Sequence, residues 1–152
     1  MGPVSLEFLG YHVDTTGIRP LPRKLKAIAE YPEPQKAKHL LGFLGAINYY
    51  RRALSGLKGE DGKIRRPAEI LQPLFEAATA KATTKQFQQT WSEKNLVTAF
   101  NEAKEMLMST CQLEHPDPNA PIAITTDESK HAMGAVLEQF RQGTWRPLGY
   151  WS

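Results

Sequence analysis

Apolar residues recur along the first half of the chain in two rhythms. From Leu6 to Val13 they are dense, and Asp14-Thr15-Thr16-Gly17 then supplies a run of turn formers before Ile18 to Pro20 resumes. This predicts a strand, a tight turn and a return strand, together a β-hairpin. Pro22 suits the first position of a short helix, Arg23 to Glu30, in which Leu25, Ile28 and Ala29 share a face and which Tyr31-Pro32-Glu33-Pro34 ends. From Lys36 to Arg52, Ala37, Leu40, Leu41, Leu44 and Ile47 repeat at the spacing of a core-facing helical stripe. A charged loop with three glycines, Ser55 to Arg66, separates it from a helix over Pro67 to Ala80, with Ile70, Leu71, Leu74 and Phe75 facing inward.

Lys81 to Thr90 is polar and rich in Thr and Gln, which predicts a linker and a domain boundary. Ser92 can cap a helix running to Ser109, with Leu96, Phe100, Ala103 and Leu107 on one side. His115 to Pro121 is a proline-rich turn, and the rhythm then changes to that of strands: Ile122 to Thr126, Gly134 to Phe140 and Arg146 to Trp151, the last two joined by a turn at Arg141-Gln142-Gly143-Thr144. The fold class expected is α+β.

The helix from Lys36 to Arg52 carries a second stripe, Lys38, Gly42, Gly45, Tyr49 and Arg52. Each interior glycine costs roughly 1 kcal/mol against alanine, so two on one face need a reason. One reason is a nucleic-acid groove approaching the backbone, with cations on phosphates and tyrosine on sugars or bases. The other is close packing of a second helix, with Arg51 and Arg52 as a solvated end that suits the helix dipole. Periodicity does not decide between them.

Charge bears on that choice. The net charge of +3 conceals a division: residues 19–66 hold twelve Lys or Arg against four acids, whereas from Pro67 onward there are seven against ten. Such asymmetry points the first half toward a polyanion. No apolar run approaches the ~20 residues of a membrane-spanning helix, so no membrane partner is expected. The single cysteine, Cys111, excludes an internal disulfide and reads as a small buried residue in a reducing compartment.

Candidate chemistry is confined to Ile124 to Gln139, where Asp127 ends an apolar strand ahead of a polar turn. A carboxylate so placed is a natural hard-cation ligand, although an Asp beside Ser is also an ordinary way for a strand to enter a turn. His115 and His131 have no paired histidine or third carboxylate beside them, and no phosphate-cradling glycine loop or nucleophile elbow is present.

In order, FLGYHVDTTGIRPLPRKLKAI, KAKHLLGFLGAINYYRR, WSEKNLVTAFNEAKEML, LEHPDPNAPIAITTDESKHAMGAVLEQ and WRPLGYWS resemble the Pol polyprotein of gypsy-type LTR retrotransposons over nearly the whole chain. The resemblance implies a reverse transcriptase thumb led by a β-hairpin (residues 1–80), the linker, and a connecting helix with the start of an RNase H-like domain of three strands (91–152). It places Phe8, Leu9, Gly10 and Tyr11 in a primer grip. Lys38, His39, Gly42 and Ala46 fall on a thumb helix tracking an RNA/DNA hybrid or DNA duplex, which draws Gly45, Tyr49, Arg51 and Arg52 into the same interface. Asp127 matches the first metal-binding carboxylate of RNase H, one of several that hold two Mg²⁺ ions.

The departures carry expectations too. Polymerase aspartates and further RNase H acids are absent, so the isolated chain is expected to bind rather than catalyse, with other segments of the polyprotein as partners. Glu128 stands where alanine is usual, the Gly56 to Arg66 loop is longer than expected, and WSEKNLVTAF is about one residue longer than the usual spacing. The setting implied is intracellular, in a cytoplasmic virus-like particle or the nucleus. Two alternatives stand beside the binding reading: a nuclease completed by a partner chain, and an inert interaction module that self-associates through an open sheet edge.

Overall fold

The computed structural model describes residues 4–109, 112–128 and 133–152, and Asp127 through its backbone; Cys111 and His131 lie outside the described residues. The chain is of the α+β class, with five α-helices and three small antiparallel sheets among the described residues.

Strands β1 (Ser5–Phe8), β2 (Tyr11–Asp14) and β3 (Gly17–Pro20) form a meander, with Phe8 opposite Tyr11 and Asp14 opposite Gly17. The single strand expected from Leu6 to Val13 is therefore two. Leu9 and Gly10 both take positive φ, 47° and 83°, a two-residue turn whose twist matches that of the flanking strands. The second turn is closed by Asp14, whose carboxylate accepts from the Thr16 N–H at 2.8 Å, the Thr16 hydroxyl at 2.5 Å and the Gly17 N–H at 3.2 Å. Those hydrogen bonds, with the Arg19 guanidinium at 3.4 Å, pull the Asp14 carboxyl down to about 2.

Five helices follow: α1 (Pro22–Ala29), α2 (Ala37–Tyr49), α3 (Pro67–Thr79), α4 (Thr84–Glu93) and α5 (Leu96–Met108). Their shared core brings Phe43 of α2 to 4.4 Å from Phe100 of α5, ring centre to ring centre, with Trp91 of α4 5.8 Å from Phe100. Leu96, Phe100, Ala103 and Leu107 all face it. Two inward assignments fail, because each turn of ~100° per residue carries those residues off the face that is covered. Leu41 is 45% exposed while Phe43 is buried, and Phe75 is 39% exposed while Ala77 and Ala78 face the core.

Three segments differ from expectation. The stretch 81–90, read as linker, is largely α4. Its start is closed by Thr83, whose hydroxyl accepts from the Gln86 N–H at 3.3 Å while the Gln86 side chain accepts from the Thr83 N–H at 2.8 Å, and Phe87 and Trp91 are buried one turn apart. The helix expected over Ser92 to Ser109 is divided by Asn95, at φ 48°, a conformation asparagine tolerates better than most residues. The charged loop contains a two-residue hairpin, β4 (Leu57–Lys58) with β5 (Ile64–Arg65).

The C-terminal sheet is a meander of β6 (Ile122–Glu128), β7 (Met133–Arg141) and β8 (Thr144–Trp151), with β7 central. The expected turn at Arg141 to Thr144 is present. Residues 113–115 join this sheet to the N-terminal meander. Leu113 exchanges backbone hydrogen bonds with Ile18 at 2.8 and 2.9 Å, the Glu114 N–H reaches Pro147 O at 3.0 Å, and the His115 ring N–H donates to Asp14 O at 2.7 Å. Gln139 is fully buried; its amide oxygen accepts from the Asp117 N–H at 2.9 Å and its NH₂ donates to His115 O at 2.8 Å.

Candidate nucleic-acid interface

The site begins where α2 meets the β1–β2 turn. Tyr49 donates its hydroxyl hydrogen to Leu9 O, Tyr50 donates to Gly10 O at 3.2 Å, and Tyr11 donates back to Tyr49 O at 3.0 Å. The three rings sit 5.1 to 5.8 Å apart, centre to centre. The Tyr49 hydroxyl, expected to meet sugars or bases, instead fastens the turn, although the ring stays half exposed. Burial and the two neighbouring tyrosines raise Tyr11 to about 12, and burial raises Tyr50 as well. Tyr11 and Tyr50 therefore remain protonated and uncharged at neutral pH. Glycine is favoured at position 10: besides its positive φ, a Cβ would come within 2.8 Å of the Tyr50 hydroxyl.

The fastened turn presents Phe8 and Leu9, 58% and 68% exposed, to solvent. Beside it, Leu9, Gly10, Ala46 and Tyr49 line a groove of about 520 Å³ whose far wall is Lys24 and Ala27 of α1. Along α2 from that groove, Lys38, His39, Gly42 and Gly45 are exposed. The two glycines are not equivalent. A Cβ at Gly42 would come within 3.1 Å of the Tyr31 hydroxyl, whereas one at Gly45 would meet nothing within 4 Å. Packing of Tyr31, from the segment between α1 and α2, thus accounts for Gly42 in part, and leaves Gly45 as open backbone facing solvent.

The periodicity predicts Arg51 and Arg52 on α2, but they lie outside it. The helix closes with a Tyr50 N–H to Ile47 O bond so that Tyr50, Ala53 and Leu54 can be buried, and the arginines are displayed on a 3₁₀ turn, Arg51–Ala53. Arg23 pairs with Glu7 and Arg65 with Glu102, but Arg51 and Arg52 have no carboxylate partner among the described residues. They line a second cleft, about 590 Å³, together with Tyr11, Tyr49, Thr126 and Trp151.

Asp127 follows Thr126 in β6 and pairs with Gly134, which also lines that cleft. Among the described residues no three His, Cys, Asp or Glu side chains come together as a metal site. Lys24, Ala27, Tyr50 and Trp151 escaped the sequence reading. Lys24 carried a signal, a cation on the short helix flanking the hairpin, and Trp151 carried none.

The C-terminal part of the chain, residues 91–152, matches the family model of the RNase H-like domain found in reverse transcriptase. Over 96% of its length the chain is 37% identical to the retrovirus-related Pol polyprotein from transposon opus of Drosophila melanogaster, and over 89% it is 33% identical to that from transposon gypsy. It is thus related to the Pol polyproteins of LTR transposons, as the motif order implied, and it spans 14% and 13% of those two relatives. Its fold matches that of a foamy viral protease-reverse transcriptase solved with an RNA/DNA hybrid, at a TM-score of 0.66 and 19% identity, covering 97% of this chain and 18% of that one. The same viral protein solved with double-stranded DNA matches at 0.67.

Proposed function

We propose that the chain grips an RNA/DNA hybrid or DNA duplex, as the thumb of a reverse transcriptase whose other parts come from the rest of a polyprotein. One observation carries the reading: a fastened, exposed hairpin tip stands at one end of a helix face made of Lys38, Gly42, Gly45 and Ala46, with Gly45 open to solvent. A duplex laid along that face meets backbone where a side chain would hold it off, with Lys38 and His39 toward phosphates and Phe8 and Leu9 at the strand end. Arg51 and Arg52 stand beyond the helix, where a strand leaving the duplex would meet them. On this reading residues 1–80 act as the thumb and 91–152 as the RNase H-like part, in a virus-like particle or nucleus. RNA-directed synthesis and RNase H hydrolysis belong to the parent enzyme. Mg²⁺ is implied there, but the described residues offer no donor set beyond the Asp127 position, and no step is derived through it.

Titration of a blunt RNA/DNA hybrid by fluorescence anisotropy tests the reading. Affinity should fall steeply with salt, and Gly45→Leu should weaken it at least tenfold while leaving the circular dichroism unchanged. Binding that ignores both salt and residue 45 would refute it. A second reading, self-association, is favoured by β6, an edge strand on which Ile122 and Ile124 are 66% and 68% exposed. A monomer in concentrated sedimentation runs would dismiss it.

A further inference from the structure

We infer that the cleft between the end of α2 and the C-terminal sheet is a separate site for single-stranded nucleic acid, taking phosphates on Arg51 and Arg52 and stacking a base on Trp151. The cleft's volume, about 590 Å³, falls within the ~300–1,000 Å³ of sites that enclose a small ligand. It is large enough to admit a splayed nucleotide.

Its charge is complementary to a phosphodiester chain, since both arginines are exposed and neither has a carboxylate partner among the described residues. Arginine at such a spot offers a planar fork that matches phosphate oxygens. The opposite wall supplies a stacking surface. The Trp151 indole lies against Gly149, where a Cβ would come within 2.9 Å of the ring, and it remains 44% exposed. The ring is positioned by a residue with no side chain of its own and leaves much of its surface to solvent. Cations tracking a backbone beside an aromatic platform are what sequence-tolerant single-strand binding requires.

This inference rests on the duplex reading for the origin of the strand. Tyr49 walls both the groove at the hairpin tip and this cleft, so an unpaired end leaving the duplex at the tip passes the tyrosine and enters the cleft. The cleft's far wall contains Thr126 and Gly134, which flank the Asp127 position in the chain and across the ladder.

The test measures labelled oligothymidylate and a blunt RNA/DNA hybrid against the full chain and its variants, each checked for folding by circular dichroism. Trp151→Ala should weaken oligothymidylate binding roughly tenfold, within the range for loss of one stacked base, and leave the blunt hybrid unchanged. Trp151→Phe, which keeps a ring over Gly149, should retain most of the affinity. The double variant Arg51→Gln, Arg52→Gln should lower the log–log salt slope for oligothymidylate by about 1.4, the value for two phosphate contacts on a single strand. Oligothymidylate binding unaffected by Trp151→Ala, or no saturable binding by the unaltered chain, would overturn the inference. Loss of hybrid binding in Gly45→Leu with oligothymidylate retained supports two separate sites, whereas a hybrid that never binds while oligothymidylate does refutes the duplex reading alone.

Discussion

In the helical part, Phe43, Ile47, Leu74 and Ala103 are shut off from solvent, whereas in strands β6 to β8 the one buried side chain among the described residues is the amide of Gln139. Many of the sheet's apolar residues look outward, with Ile122, Ile124 and Met133 66% to 70% exposed and Phe140, Trp145 and Trp151 between 40% and 46%, while Val136, Leu137 and Leu148 are half-buried. Hydrophobic burial therefore sustains one part, and backbone ladders with polar staples sustain the other. Residues 113–115 tie the sheet to the N-terminal meander through Ile18, Asp14 and Pro147. Dependence should run one way, with the sheet relying on the helices and the helices indifferent to the sheet.

The hardest test of that asymmetry is Phe43→Ala. Removing a fully buried ring from the contact with Phe100 should cost about 3–5 kcal/mol, and urea titration should show helix and sheet signals lost together. Survival of slow amide exchange in β7 after this change would break the comparison. Gln139→Ala comes next. It strands the Asp117 N–H and His115 carbonyl, at about 1–3 kcal/mol, and hydrogen exchange should quicken in β7 and β8 while α5 stays protected. Gly10→Ala combines a left-handed backbone with a clash on Tyr50, and should cost more than ~1 kcal/mol, recovered in part by adding Tyr50→Phe. The smallest effect is the acid limb contributed by Asp14. Its folded carboxyl titrates near 2, below the ordinary range, so the stability it lends is complete above about pH 4 and is lost as pH falls toward 2. Asp14→Asn should flatten that limb of a pH-dependent denaturation series and leave neutral stability lower.

Long amphipathic repeats were readable because their period recurs over several turns. The core positions of α5 and the three C-terminal strands emerge from pattern alone. What eluded the sequence reading was local and chemical. The turn at Leu9-Gly10 lacks the Asn-Gly or Asp-Gly signature that announces a two-residue hairpin, because side chains from α2 hold it in place. Helix α4 was hidden by its polar composition, though Thr83 with Gln86, and Phe87 with Trp91, did mark a capped helix with one inward face. At the site, Gly45 was legible as an oddity on a helix face. The role of Tyr49 was not, since its hydroxyl is committed to a carbonyl forty residues away.

That distance has an evolutionary consequence. A hairpin tip shaped by hydroxyls from another element is inherited as a pair of sites, not as a local motif. Any lineage that places a side chain at position 10 must give up the hydroxyl at position 50 that such a side chain would strike. Positions 10 and 50 should therefore vary in concert among relatives, and a tip that loses its tyrosines should drift toward residues that form the turn unaided.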